Sequence, residues 1–227
     1  TGGSGGGGGA RGGAGAASPS GQGNTAIGHQ AFKVGTEIDF NTVIGYQAGM
    51  DLSGSSGTQA EGNTFVGYKA GTDVTTGNFN TAVGYNALLE NKTGENNTAI
   101  GQGALLYTTG SRYNTAVGTN AGSWGCGNST YNTFVGDSAG GIYKAIGTGY
   151  GVDGGVMGGN TGYYIGAGNN NTAGVTAVGI TAGYYTTGSY NTFVGSKAGY
   201  GGTTSAPYAS GQYNTTLGVN TLTGFTT

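Results

Sequence analysis

The chain is short of most of what catalysis and metal binding require. Its 227 residues include one cysteine, one histidine, one tryptophan and two prolines, and only 7% are charged. A lone Cys126 excludes an intrachain disulfide and a four-thiolate zinc site built by one chain. It sits in a Gly-rich turn, Trp124-Gly125-Cys126-Gly127, where it reads as a small, partly buried filler. Seven Lys and Arg against nine Asp and Glu leave no basic face to neutralise phosphates, so nucleic acid is not an expected partner. No run of about 18 apolar residues could span a bilayer, and no apolar segment follows a basic start, so membrane insertion is not expected either. The first residue is Thr1, not Met, which points to a fragment or a processed product.

What the chain has instead is glycine, 55 of them, and repetition. The segment Asn-Thr-Ala-Ile-Gly at Asn24 to Gly28 returns with small changes at Asn41, Asn63, Asn80, Asn97, Asn114, Asn132, Asn191 and Asn214, and without its Asn at Val175. Successive starts up to Asn132 are separated by 17, 22, 17, 17, 17 and 18 residues. So short a period holds about two short strands and their turns, too little to bury a core alone, so each unit must lean on its neighbours.

Numbered from the Asn, positions two and four are Thr and Ile, Val or Leu, on one side of an extended segment, and position three (Ala26, Val43, Phe65, Ala82, Phe134, Phe193) points to the other. Position five is Gly in every unit, which predicts either a bend with positive φ or an approach too close for a Cβ. Position eight is Ala in most units, as a tight interior corner requires. Stacked in register about 4.8 Å apart, the units predict an all-β, parallel β-solenoid (β-roll) of about ten short turns and roughly 50 Å. An Asn ladder would run along it through Asn24, Asn41, Asn63, Asn80, Asn97, Asn114, Asn132, Asn191 and Asn214. A second ladder of rings is expected just before the Asn, from Phe40, Phe79, Tyr113, Tyr131, Tyr190 and Tyr213. Apolar residues on both sides of one thin strand call for cover on both, most economically in a homotrimer.

Four segments follow. Residues 1–23 form a Gly-rich arm, readable as linker, as polyglycine II or, through Gly3, Gly6, Gly9, Gly12 and Gly15, as a collagen-like register. Residues 24–140 are regular repeats with a long connector at Gly49 to Gly62, 141–174 are irregular and rich in Gly and Tyr, and 175–227 resume the pattern with an insertion at Tyr200 to Tyr213. Within the irregular part, Ala145-Ile146-Gly147 and Tyr164-Ile165-Gly166 read as worn repeat cores.

The Asn-Thr-Ala-Ile-Gly-x-x-Ala unit, from about Asn24 to Leu222, resembles the repeats of phage tail fibre proteins and the head β-rolls of trimeric autotransporter adhesins. The resemblance implies a non-enzymatic, trimeric fibre exposed outside the cell, on a virion or a cell surface.

Candidate chemistry is sparse. His29 holds position six, which other units fill with Tyr46, Tyr68, Tyr85, Gln102 or Asp137, so it reads as solvent-facing and not as a catalytic base. Glu37 and Asp39 flank Ile38 and would share a face, yet nothing sets them across a substrate as glycan cleavage demands. The remaining carboxylates are scattered and form no calcium loop, and Gly147-Thr148-Gly149 and Gly166-Ala167-Gly168 open no helix as a phosphate loop must. Asn-x-Ser/Thr triplets such as Asn91-Lys92-Thr93 are expected from composition. No catalytic residue, cofactor or metal is expected. Sixteen Tyr and one Trp offer flat faces for sugars or partner chains, and those outside the ladder, Trp124, Tyr143, Tyr150, Tyr163, Tyr164, Tyr200 and Tyr208, are the candidate ligand-binding residues. The reading is a structural and adhesive fibre segment that presents a receptor- or glycan-binding surface on a rigid rod. A self-assembling extracellular filament is the alternative.

Overall fold

The computed structural model describes residues 22–33, 38–54, 60–123, 130–140, 152–157, 172–202 and 210–225. The residues fall into two compact units, Thr1–Arg112 and Tyr113–Thr227. Both are all-β among the described residues, with no helix and so none long and apolar enough to cross a membrane.

In the first unit each repeat donates one three-residue strand: β1 (Thr25–Ile27), β3 (Thr42–Ile44), β5 (Thr64–Val66), β6 (Thr81–Val83) and β7 (Thr98–Ile100). They pair in that order, parallel and in register, so that Thr lies on Thr and Ile on Ile or Val. Most repeats hold one strand, not two. A second small sheet arises only where the connectors run side by side, β2 (Ile38–Asp39) beside β4 (Ala60–Glu61). The parallel, solenoid-like stacking of one repeat on the next follows from the Gly at position five. Gly45, Gly67 and Gly84 have φ near 138°, and a Cβ on any of them would collide with the carbonyl of the following Gly. Both readings of the recurring Gly therefore hold together: the backbone bends where only Gly is at ease, and adjacent bends touch.

The second unit contains β8 (Thr115–Val117), β9 (Thr133–Val135), β10 (Val152–Met157), β11 (Thr172–Val178), β12 (Thr192–Val194) and β13 (Thr215–Leu217), paired in that order. Strand β10 is the rung that sequence reading missed. Gly155, Val156 and Met157 align with Thr133, Phe134 and Val135. Gly154-Gly155-Val156-Met157 thus stands where other rungs read Asn-Thr-Ala-Val. The segments expected to serve there, around Ile146 and Ile165, lie outside the described residues, as do residues 1–21 of the arm.

The Asn column is observed. Asn80 is typical: its Nδ2 donates to Asn63 Oδ1 (3.2 Å) and to the Gly94 carbonyl (2.8 Å), and its Oδ1 accepts from the Asn97 backbone N–H and Nδ2, both at 3.0 Å. The side chain is fully buried and all its hydrogen-bonding capacity is used. The column runs Asn24, Asn41, Asn63, Asn80, Asn97 in the first unit, and in the second links Asn114 to Asn132 and Asn191 to Asn214. It is not continuous between Asn132 and Asn191, because Gly154 and Val175 hold the intervening places by register. The consequence is visible on Asn132, whose buried Oδ1 has no partner.

Each rung interior is one residue thick. Position eight is Ala at full burial in Ala48, Ala70, Ala87, Ala104, Ala121 and Ala139. Position three faces it, also buried, and position nine completes the layer. The last two trade volume: Ala82 and Ala99 are matched by Leu88 and Leu105, whereas Phe65, Phe134 and Phe193 are matched by Gly71, Gly140 and Gly199. A Cβ on Gly71 would lie 2.6 Å from the Phe65 ring. Further round the first unit, a second interior column changes from Leu52 and Val74 to Asn91 and Thr108, where Asn91 Oδ1 accepts from the Gly94 N–H at 2.6 Å and Thr108 Oγ1 donates to the Leu105 carbonyl at 3.0 Å.

Candidate functional site

With position three turned inward, positions two and four must face out. In the first unit they make two parallel columns, Thr25, Thr42, Thr64, Thr81, Thr98 and Ile27, Ile44, Val66, Val83, Ile100, and the aliphatic one is half-buried to exposed, with Ile27 at 44% and Ile100 at 41%. The Gly bend then starts every rung's turn in one orientation, which lines up position six. His29, Tyr46, Tyr68 and Tyr85 stack in sequence, ring centroids 5.3, 5.3 and 4.9 Å apart and planes within 12°. Lys69 Nζ stands 5.5 Å from the Tyr68 ring centre. At the opposite margin, Phe40 and Phe79 project at 63% and 53% exposure. No Asp, Glu, Lys or Arg occupies positions zero, two, four or six of this unit, and His29 is the one titratable base there.

His29 is solvent-facing, as expected, but position six is an ordered stack and not a tolerant surface site. The signal was available: Tyr46, Tyr68 and Tyr85 share one phase of the repeat. The expected ring ladder before the Asn is only partial. Tyr113 stacks on Tyr131 (5.0 Å) and Tyr190 on Tyr213 (5.2 Å), while Phe40 and Phe79 are separated by Gly62. All these positions carry φ near 60°, and Gly23 and Gly62 are roofed by the rings of Phe40 and Phe79 one rung on. Stacking also alters the sugar-binding expectation: in these columns the ring faces cover one another and present edges and hydroxyls outward.

Of the seven candidate ligand-binding aromatics, Trp124, Tyr143, Tyr150, Tyr163, Tyr164 and Tyr208 lie outside the described residues, as do Glu37 and Cys126. Tyr200 is half-buried. It stacks on Tyr184 at 5.4 Å and meets Tyr185 edge-on at 5.8 Å; burial, and then Tyr185, raise its phenol above the usual range. It is therefore a packing residue in a Tyr cluster, not a free platform. Asp39 Oδ1 accepts the Gln22 N–H at 2.6 Å, a local tie between successive rungs.

A column of carboxylates, Asp51, Asp73 and Glu90, follows position eleven. Burial, and then Asp51, raise Asp73 against the opposing pull of Lys92 and Lys69; burial, and then Asp73, raise Glu90. Among the described residues no group of three or more His, Cys, Asp or Glu stands ready to hold a metal ion. Carboxyls raised in the folded state bind protons more readily there than in the unfolded chain, so stability falls as pH climbs from their ordinary range through the raised one. Asp73→Asn is expected to raise the unfolding midpoint near neutral pH and flatten its pH dependence, read by urea melts between about pH 4 and neutrality. An unchanged slope would remove Asp73 from this account.

Comparison with family models, with curated proteins and with solved structures finds no match. The class rests on the geometry: an all-β repeat protein in which parallel strands stack in solenoid-like fashion.

Proposed function

We propose that the chain is a non-enzymatic structural and adhesive fibre segment, of a virion fibre or a cell-surface adhesin, that assembles as a homotrimer outside the cell and holds a receptor- or glycan-binding surface on a stiff β-stack. The observation that carries this is the aliphatic column of the first unit, where Ile27, Ile44, Val66, Val83 and Ile100 line up half-buried to exposed beside a stack of rings. A continuous exposed apolar strip marks an interaction surface, and a strip with the rung period matches best another strip of that period, hence a copy of itself. Around a three-fold axis the aliphatic columns would meet centrally, and three arms with Gly at every third residue could converge on the same axis. The resemblance to tail fibre and adhesin-head repeats supports the same reading. Glycan contact then belongs to Trp124, Tyr143, Tyr150, Tyr163, Tyr164 and Tyr208, aromatics outside the stacked columns, in which ring faces cover one another.

Light scattering on the purified chain is expected to give three chain masses. Ile27→Lys, Val83→Lys and Ile100→Lys combined should reduce it to one while leaving the far-ultraviolet spectrum unchanged, because all three side chains already face outward. A single-chain mass for the unaltered protein at every concentration would remove the trimer.

A further inference from the structure

Where successive rungs carry Tyr at one phase, the stacking sets phenol against phenol. Tyr68 and Tyr85 stand 4.9 Å apart with planes within 8°, Tyr113 and Tyr131 5.0 Å apart within 4°, and Tyr190 and Tyr213 5.2 Å apart within 9°. Tyr46 lies on the other side of Tyr68, at 5.3 Å. The members of each pair leave equivalent positions of paired rungs, so like edges of the two rings are aligned. Backbone bonds hold that alignment: the Asn86 N–H donates to the Tyr68 carbonyl at 2.9 Å, and the Tyr213 N–H to the Ser189 carbonyl at 3.3 Å. All six rings are open to solvent, from 39% exposure at Tyr68 to 74% at Tyr213. Tyr184 and Tyr200 also stack, at 5.4 Å, but both are half-buried and Tyr185 closes on them edge-on.

A disulfide within the chain would need a second cysteine, and the chain has one. Paired phenols supply another covalent link. We propose that Tyr68 with Tyr85, Tyr113 with Tyr131 and Tyr190 with Tyr213 are sites of oxidative coupling, at which a one-electron oxidant of the haem peroxidase class, fed with hydrogen peroxide, joins neighbouring rungs by a carbon–carbon bond. Each phenol gives up its hydroxyl hydrogen as one electron and one proton. The two phenoxyl radicals join at the ring carbons beside their oxygens, and each of those carbons passes its own hydrogen to the oxygen as a proton, through solvent, which restores the phenols. Two hydrogens leave in all, and one peroxide takes up the two electrons and two protons to become two waters.

Stacking supplies the proximity that turns an encounter between separate radicals into a step within one chain. Each bond would close a loop of a single repeat and restrict the unfolded chain as a disulfide does. The inference does not depend on the homotrimer, because both members of each pair belong to one chain.

The test is brief oxidation of the dilute chain by a light-activated ruthenium complex, with persulfate as electron acceptor, followed by peptide mapping. The expected map contains the three joined peptide pairs, each lighter than the sum of its parts by two hydrogens, with a single-chain mass on a denaturing gel. The coupled chain should show a higher urea midpoint than the uncoupled one. The same treatment of the chain unfolded in urea should lower the yield of these pairs roughly tenfold or more. Tyr68→Phe keeps a ring in the stack and leaves Tyr46 and Tyr85 two rungs apart, about 10 Å. That variant should keep its thermal midpoint, give no coupled product from this column and couple the other two pairs as before. Equal yields from folded and unfolded chains overturn the proposal, as do a Tyr46 to Tyr85 bond in Tyr68→Phe and bonds between chains in place of those within one.

Discussion

Phe65→Ala is expected to lower the unfolding free energy by about 3–5 kcal/mol, and Gly71→Leu to destabilise strongly on its own, yet the two together should come back to within about 2 kcal/mol of the unaltered chain. Phe65 is fully buried in a layer one residue thick, so truncation opens a cavity that neighbouring rungs cannot fill without breaking register. Leu at position 71 fails alone because its Cβ would start 2.6 Å from the Phe65 ring. Combined, the changes rewrite this rung as the Ala82 and Leu88 arrangement of the next one, in which Leu88 has φ of 53°, close to the 60° of Gly71. The residual cost is that of a non-glycine residue in the left-handed region, about 1–2 kcal/mol. Urea titration of the single and double variants reads the coupling directly. Additive losses would mean that positions three and nine do not share one volume.

Asn80→Asp should be nearly as damaging and should announce itself by pH. The new carboxylate oxygen would replace Nδ2 and face two acceptors, Asn63 Oδ1 and the Gly94 carbonyl. An unpaired charge at a fully buried position costs on the order of 3–5 kcal/mol. Once protonated, the carboxyl can donate to the Gly94 carbonyl, so the folded variant holds its proton above the ordinary Asp range, near 3.9. Stability of the variant should thus be greatest in acid and fall as pH rises through that window, with the loss complete near neutrality. Asn80→Ala, which leaves the Asn97 N–H without its acceptor, should lose about 2–4 kcal/mol with no such pH dependence. Equal pH profiles for the two variants would show that the column is not carried by amide donors.

Much of this architecture is legible in the repeat because the physical demands recur at one phase. Gly45, Gly67 and Gly84 each sit where the chain bends against the next bend, and no other residue fits there, so the reading of position five needs no coordinates. Asn63, Asn80 and Asn97 are legible for a similar reason: a buried amide that both donates and accepts along an axis is satisfied only by a like residue one rung away. The exchange of Phe65 with Gly71 against Ala82 with Leu88 becomes evident only once the layer is seen, because the pairing is not kept in every repeat: Ala116 and Ala177 go with Gly122 and Gly183. Rung β10 was not legible. Gly154 and Gly155 replace both the Asn and the Thr, of which even the β11 rung keeps Thr176, and what places them is pairing with β9 and β11.

The sequence by itself determined the rung, its phase, its bend and its amide column, because each is a local requirement met by one residue type. Alternation along a three-residue strand shows that two faces exist, but it says nothing of which is inside. Only the tertiary structure decided that Phe65 and Ala82 line the interior while Ile27 and Val83 look outward, since that choice depends on the way the chain turns at each Gly and on the Ala corner that closes over position three. It also made an ordered stack of His29, Tyr46, Tyr68 and Tyr85, rings that touch because successive bends are superposed at strand spacing and not because of any property of one repeat alone.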